Sequence, residues 1–198
     1  MSNPARPRVG RKARHGERGA MSGRLTEVVG ETRYPVRQLE TQDTVLLRAM
    51  KNRLGQSPAR GQPGEKLAIR ESIELQLGQD IVVPDLAAWR GEQSAIALDS
   101  RPIAAVPLWV CELVTCDTAR LDRVTKKAVY CREKVEFLWY VDASLRTLET
   151  CQWINGRYAD LGAYSEEDRV REVPFDAIEL DLGALWADFE AARVGRAR

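Results

Sequence analysis

The chain of 198 residues is 44% apolar and 30% charged with a net charge of +1, a composition typical of a soluble protein with a core. No apolar run approaches the ~20 residues of a membrane-spanning helix, and no apolar stretch follows the basic N-terminus as it would in a secretory signal. We therefore expect a cytoplasmic protein that does not associate with membranes.

The charge is distributed unevenly along the chain. Residues 1–20 contain six basic residues and one acidic residue, a net charge of +5, so the remainder of the chain carries −4. We predict a disordered basic tail over 1–23, one domain over 24–190 and a C-terminal tail over 191–198. The basic tail could bind phosphates or be an inert extension, and Met21 could be the true start of the protein.

The first half of the domain is predicted to hold a helix and several strands. A short strand is expected at 25–29, and the segment "LETQDTVLLRAMKNRLG" has helical spacing that stops at Gly55. The segment "KLAIRESIELQLG" alternates like a long half-buried strand or hairpin arm, and "IVVPDLAAW" predicts another strand in which Pro84 marks an end, an edge or a bulge. Residues 90–106 form a long connection.

The second half predicts a strand, a helix and further strands. "LWVCELVT" is a buried strand, "DTARLDRVTKKAVYCREK" is a helix with Asp117 as its N-cap, and "VEFLWYVDA" is a strand. "RTLETCQWINGRYADLG" is a hairpin that turns at Asn155-Gly156, and the chain closes with an amphipathic segment. This order of elements predicts an α/β (α+β) fold with a mixed sheet flanked by helices and an extra C-terminal β-hairpin.

The cysteines and the histidine limit the chemistry. The four cysteines form no C-x-x-C pair, which favours reduced thiols over a zinc site. The only histidine of the sequence, His15, lies in the tail, and this argues against serine–histidine or cysteine–histidine catalysis.

Glu112 is unusual, because it is a charged residue within a strand whose other residues are mostly apolar. Burying an unpaired carboxylate costs several kcal/mol, so a cation, a shared proton or a metal ion is expected beside it. Asp85 follows Pro84, where a strand end or bulge can redirect a side chain. Asp122, Lys126 and Tyr130 share one helix face by their i, i+4, i+8 spacing.

Lys126 lies nearly opposite the apolar stripe predicted for this helix, which consists of Leu121, Val124, Ala128, Cys131 and Val135. It can reach a site only if the helix is covered on both sides or begins after Asp122. Two carboxylates and a lysine suit a Mg²⁺ or Mn²⁺ site that hydrolyses phosphodiesters. The alternatives are an exposed Asp122–Lys126 pair and a buried Glu112–Lys126 ion pair without a metal.

The segments "DIVVPDLAAWR" and "LWVCELVTCDTARLDRVTKKAVYCREKVEFLWYVDASLRTLE" resemble the Uma-two family of endonucleases in the PD-(D/E)XK, or restriction-endonuclease-like, superfamily. The resemblance is strongest over 78–149 and extends over about 24–186. It implies that Asp85 and Glu112 are metal ligands, that Lys126 is the catalytic lysine and that Asp122 supports it. The superfamily usually carries the lysine two residues after the acid, where this chain has Val114, so Lys126 corresponds to a lysine supplied by the following helix.

This chain departs from the family pattern at three places. Thr115-Cys116-Asp117-Thr118 replaces the usual Ser-Pro-Ser-Thr stretch, Lys134 replaces a glycine, and Gln42 stands where a histidine is usual. The resemblance implies a Mg²⁺-dependent endonuclease whose substrate is DNA, and it leaves a homodimer open. The competing hypothesis is a catalytically inactive nuclease-like fold that binds nucleic acid or a protein partner, with salt-sensitive binding through the tail.

Overall fold

A computed structural model describes residues 25–58, 66–91 and 101–195; the basic tail predicted at 1–23 lies outside these ranges. Its largest sheet has six strands in the order β10-β9-β8-β7-β6-β3, in which β7 and β8 are parallel and the other neighbours are antiparallel. The predicted mixed sheet flanked by helices is thereby confirmed. Its strands are β3 (Ala68–Glu71), β6 (Leu86–Trp89), β7 (Trp109–Leu113), β8 (Phe137–Asp142), β9 (Thr147–Ile154) and β10 (Arg157–Ser165).

A second sheet of four strands has the order β2-β1-β5-β4. It consists of β1 (Thr26–Val29), β2 (Thr32–Pro35), β4 (Leu75–Leu77) and β5 (Asp80–Val82), and a two-stranded ribbon pairs β11 (Arg169–Val170) with β12 (Leu180–Asp181). The helical elements are α1 (Thr41–Leu54), a π-helical turn (Leu121–Lys126) that continues into α2 (Lys127–Arg132), and α3 (Leu182–Val194). Helix α3 therefore continues four residues beyond the predicted domain end at 190.

The two faces of the six-stranded sheet bury different clusters, as the alternation of β7 shows. Trp109, Cys111 and Leu113 belong to the cluster that contains the apolar residues of α1 and α3. Val110 and Val114 belong to the cluster that contains Val129 of α2. Glu112, two residues from each of these valines, therefore faces the helix that carries Lys126.

A tight aromatic group anchors the first of these faces. Trp109 and Trp139 meet Phe175 edge to face, with ring centroids 4.9 and 5.6 Å from that ring. The Trp139 indole also donates to the Val173 carbonyl at 3.1 Å. Such pairs stabilise a core by about 0.5–1.5 kcal/mol beyond their burial. This packing holds β8 and β7, the strand from which Glu112 projects, in fixed positions.

The expectation of one strand in "KLAIRESIELQLG" and one in "IVVPDLAAW" is wrong in detail, because each segment divides between the two sheets. The first arm breaks at Ser72, which has a positive φ of 44°, and the second breaks between Val82 and Leu86 at the predicted position of Pro84. The Ser72 N–H donates to the Asp85 carbonyl at 3.0 Å, so the two breaks face each other. The hairpin whose arms are β3–β4 and β5–β6 therefore bends at the same position in both arms, and Asp85 lies at this bend.

Two local predictions are confirmed, the end of the first helix and the turn of the C-terminal hairpin. Helix α1 ends at Leu54, directly before Gly55, and the β9–β10 hairpin turns at Asn155 and Gly156 with φ values of 50° and 86°. The four cysteines are free thiols. Within the described ranges no helix is both long enough and apolar enough to span a bilayer.

Candidate active site

Asp85 reaches the site from the hairpin corner immediately before β6. Leu86 is paired with Cys111, so Asp85 comes alongside Glu112 in the neighbouring strand. Its Oδ2 accepts a hydrogen bond from the Leu113 N–H at 2.7 Å, which fixes the carboxylate against β7. The interruption at Pro84 is what frees this side chain from the regular alternation of the strand.

Glu112 is 1% exposed and is held by a cation and a phenol. The Lys126 ammonium lies 2.8 Å from Glu112 Oε1 and 2.8 Å from Oε2. The Tyr130 hydroxyl donates to Oε1 at 2.5 Å. The buried Glu112–Lys126 ion pair considered from the sequence is therefore present.

Lys126 lies at the centre of three carboxylates. Besides Glu112, its ammonium is 3.2 Å from Asp122 Oδ1 and 3.1 Å from Oε1 of Glu27. The Asp122–Lys126 pair is buried rather than exposed, with both residues less than 5% exposed. Three carboxylates around one ammonium hold the lysine in one place, because each forms an ion pair with it within 3.2 Å.

The predicted apolar stripe of this helix is wrong. Val124 is 64% exposed and Ala128 is exposed, whereas Asp122 and Lys126 face the sheet. The reason is the π-helical turn, in which the Lys127 N–H bonds to the Asp122 carbonyl five residues back. This wider turn invalidates the 3.6-residue period from which the stripe was predicted, and such turns are frequent at functional sites.

The predicted N-cap at Asp117 is also wrong. The helical run begins at Ala119, and the turn before it is closed by the Thr115 N–H, which donates to Thr118 Oγ1 at 3.1 Å. Asp117 instead lies in the preceding turn, exposed, where its carboxylate accepts from the Cys116 thiol. Thr115, which keeps the hydroxyl of the serine usual there, and Thr118, which matches the family threonine, thus mark this end of the helix.

Glu27 is a site residue that the sequence did not reveal. It lies in β1, is 3% exposed, and its Oε1 accepts from the Val83 N–H at 2.7 Å while contacting Lys126. A carboxylate in a short strand ordinarily indicates an exposed position. Only the pairing of β1 with β2 on one side and β5 on the other encloses it, and no local pattern signals that arrangement.

Burial sets the charge states of these groups. It raises the pKa of Asp85 from 3.8 to about 6, against the opposing effect of Lys126. Burial also raises the pKa of Glu112 well above its usual range. Burial alone would lower the pKa of Lys126, but Glu112, Glu27 and Asp122 outweigh it and raise that pKa, so the lysine stays a cation.

These side chains enclose a cavity of about 40 Å³. A water-sized occupant needs about 10–15 Å³ of such space, so an ion with a water would fit. Four carboxylates and two cations line the cavity, so full ionisation would leave an excess of negative charge, which a divalent cation would reduce. The lining charged residues are Glu27, Asp85, Glu112, Asp122, Arg37 and Lys126.

The carboxylate oxygens of the cavity suit a metal ion that keeps several of its water ligands. Over the described ranges, no three His, Cys, Asp or Glu side chains are grouped so as to surround an ion by themselves. Mg²⁺ is usually bound by one or two carboxylates plus water molecules, which is what Asp85 and Glu112 could offer. Glu112 would have to share its oxygens between the ion and Lys126.

A larger groove of about 660 Å³ adjoins this cavity, and Arg37 and Leu113 line both. The groove also carries Gln42, whose side-chain N–H donates to Glu40 at 2.6 Å. Lys134, where the family has glycine, adopts a positive φ of 60°, which accounts for the family preference. The departures noted in the sequence therefore lie beside the site or in turns, and not among the residues that contact Lys126.

Comparison with known proteins agrees with this picture. Residues 35–183 match the model of the family described as "Uma2: Putative restriction endonuclease". The chain is similar to a crystal structure of a putative nuclease belonging to DUF820 from Anabaena variabilis ATCC 29413, with a TM-score of 0.67 and 13% sequence identity. The similarity covers 84% of this chain and 92% of that one, and at this identity it concerns the fold alone. No curated protein matches the chain.

Proposed function

The chain belongs to the Uma2 family of putative restriction endonucleases, and we propose that it is a Mg²⁺-dependent endonuclease that hydrolyses phosphodiester bonds of DNA. The observation that carries this proposal is the excess of negative charge around one lysine in a cavity beside an open groove. Asp85 and Glu112 would hold the metal. A bound Mg²⁺ would lower the pKa of a coordinated water and neutralise charge on the phosphate.

The residues of the chain divide the remaining work. Lys126 is a fixed cation, so it can orient the attacking water or stabilise the negative charge that develops on the phosphate, but it cannot serve as a base. Tyr130 donates to Glu112 and holds its carboxylate in one rotamer. Asp122 and Glu27 keep the lysine ammonium at the site.

Cleavage of supercoiled plasmid and of single-stranded DNA in Mg²⁺ or Mn²⁺ tests the proposal. We expect nicking by the wild type and its loss in Glu112→Gln, which removes the charge and keeps the shape. The matched control is Glu179→Gln, which changes an exposed carboxylate paired with Arg169. Nicking that Glu112→Gln retains, in a folded protein, would contradict the assignment.

A second candidate is a nuclease-like fold that binds nucleic acid without cleaving it. The observation in its favour is that Lys126 and Tyr130 already satisfy the Glu112 carboxylate without a metal. Calorimetric titration with Mg²⁺ and Mn²⁺ separates the two. Heat of binding that disappears in Asp85→Asn supports the nuclease, whereas its absence in the wild type favours the binding fold.

A further inference from the structure

Arg37 is a cation at the site that the proposed mechanism does not use. It follows β2, and its Nη1 donates to Asp43 Oδ2 at 2.6 Å. Asp43 is buried in the first turn of α1, and the same oxygen accepts from the Glu40 N–H at 3.1 Å. Because the carboxylate is fixed by the helix start, the guanidinium is held in a defined position.

The other terminal nitrogen of Arg37 has no such partner. Nη2 is shielded from solvent, and it makes no hydrogen bond with any residue of the described ranges. A buried donor on a charged group that stays unpaired is unfavourable, and each native case calls for an explanation. An oxygen atom of a bound ligand would explain the free donor, because the side chain lies at the candidate site.

The location of Arg37 restricts what that ligand can be. Its side chain lines both the small cavity with Asp85 and Glu112 and the larger open groove. Like Arg37, the other arginines of the groove have acidic partners: Arg146 contacts Glu166 and Glu190, and Arg193 contacts Glu190. Unlike Arg37, they do not line the small cavity. Arg37 is therefore placed where the groove meets the candidate metal ligands, with donor capacity still unused.

We propose that Arg37 binds the phosphate that is cleaved, with Nη2 donating to a non-bridging oxygen and Asp43 orienting the guanidinium. This inference rests on the proposed nuclease function and names the group that recognises its substrate. A guanidinium offers several donors in a fixed fork, which matches the oxygens of a phosphate, and its charge is permanent. Arg37 also places a positive charge beside the acidic cavity, which would otherwise repel the DNA backbone.

Binding of a fluorescent DNA duplex, measured by anisotropy in Ca²⁺ over a range of salt concentrations, tests the assignment. Arg37→Ala should weaken binding about 10-fold or more and reduce the slope of log K against log salt by about 0.9, the loss of one phosphate contact. Arg37→Lys should keep the slope, because it keeps the charge, but lose several-fold in affinity, because it loses the fork.

Arg53→Ala is the matched control. Arg53 also has one acidic partner, Asp188 at 2.9 Å, and one buried nitrogen without a hydrogen bond in the described ranges, but it lines neither the cavity nor the groove. We expect its affinity and salt slope to equal those of the wild type. Thermal melting of all variants shows which are folded; if Arg37→Ala is not, Arg37→Lys decides.

The possible failures can be distinguished by adding the plasmid assay in Mg²⁺. Cleavage by the wild type, with Arg37 variants that bind and cleave like Arg53→Ala, overturns the Arg37 assignment and leaves the nuclease standing. A wild type that neither binds nor cleaves DNA overturns both. Weaker binding with the reduced slope in Arg37→Ala alone supports the assignment.

Discussion

Replacing Asp85 with asparagine should make the metal-free protein more stable at neutral pH. Burial raises the pKa of this carboxyl from 3.8 to about 6, so ionising it in the folded state is unfavourable. Each pKa unit corresponds to about 1.4 kcal/mol, which puts the cost of the ionised group near 3 kcal/mol. Asparagine removes the charge and keeps an oxygen that can accept from the Leu113 N–H.

The sign of the pH dependence follows from linkage. Between about pH 4 and pH 6 the folded wild type binds the Asp85 proton and the unfolded chain does not, so the contribution of Asp85 to the free energy of unfolding of the wild type falls as pH rises. The advantage of Asp85→Asn should therefore grow from near zero at about pH 4 to about 3 kcal/mol at about pH 7.

Urea unfolding in EDTA at a series of pH values measures this difference. Asp117→Asn, a substitution at an exposed aspartate of the groove, serves as the control and should show no comparable growth of stability with pH. An Asp85→Asn protein that is no more stable than the wild type at pH 7, with a difference that does not depend on pH, would refute the reasoning.

Three further predictions concern the same region. Mg²⁺ at about 100 times its Kd should stabilise the wild type by about 2.7 kcal/mol, as measured by thermal melting. This stabilisation should fade as the pH drops through about 6, because Asp85 then takes up its proton. Stabilisation by Mg²⁺ that persists at about pH 5 would contradict the prediction. Lys126→Met should destabilise the protein by about 3–5 kcal/mol in chemical unfolding, because three buried carboxylates lose their cation. A loss of under about 1 kcal/mol would show instead that these carboxylates rearrange without the lysine. Lys134→Gly should stabilise the protein by about 0.5–1 kcal/mol, because a φ of 60° at residue 134 strains a residue that has a side chain. Equal or lower stability of the variant would show that contacts of the Lys134 side chain offset this backbone strain.

The parts of the fold that sequence could predict are those decided by neighbouring residues. The end of α1 at Gly55 and the turn at Asn155-Gly156 depend on a few adjacent side chains. The placement of Glu112 in a buried strand follows from the apolar residues around it. The convergence of Asp85, Glu112 and Lys126 was expected from the family resemblance, since spacing alone left Lys126 on the wrong face.

The parts that could not be predicted depend on segments distant in sequence. Glu27 is buried because β5 pairs with β1, and these strands are more than 50 residues apart. The π-helical turn is consistent with Glu27 and Glu112, carboxylates of two other elements, drawing Lys126 toward the sheet, an effect that no helical period encodes. Arg37 gave no signal either, because a basic residue after a short strand is typical of an exposed loop.

The Lys126 contacts have a consequence for the order in which the protein matures. Its ammonium joins Glu27 from one sheet, Glu112 from the other and Asp122 from its own helix, so the chain must have emerged at least as far as residue 126 before the charges can balance. Contacts between such distant segments form late, since loop closure must precede them. A ribosome-bound fragment that ends before Lys126 would carry the acidic residues without their cation. We therefore expect these carboxylates to stay hydrated and apart until Lys126 has left the ribosome.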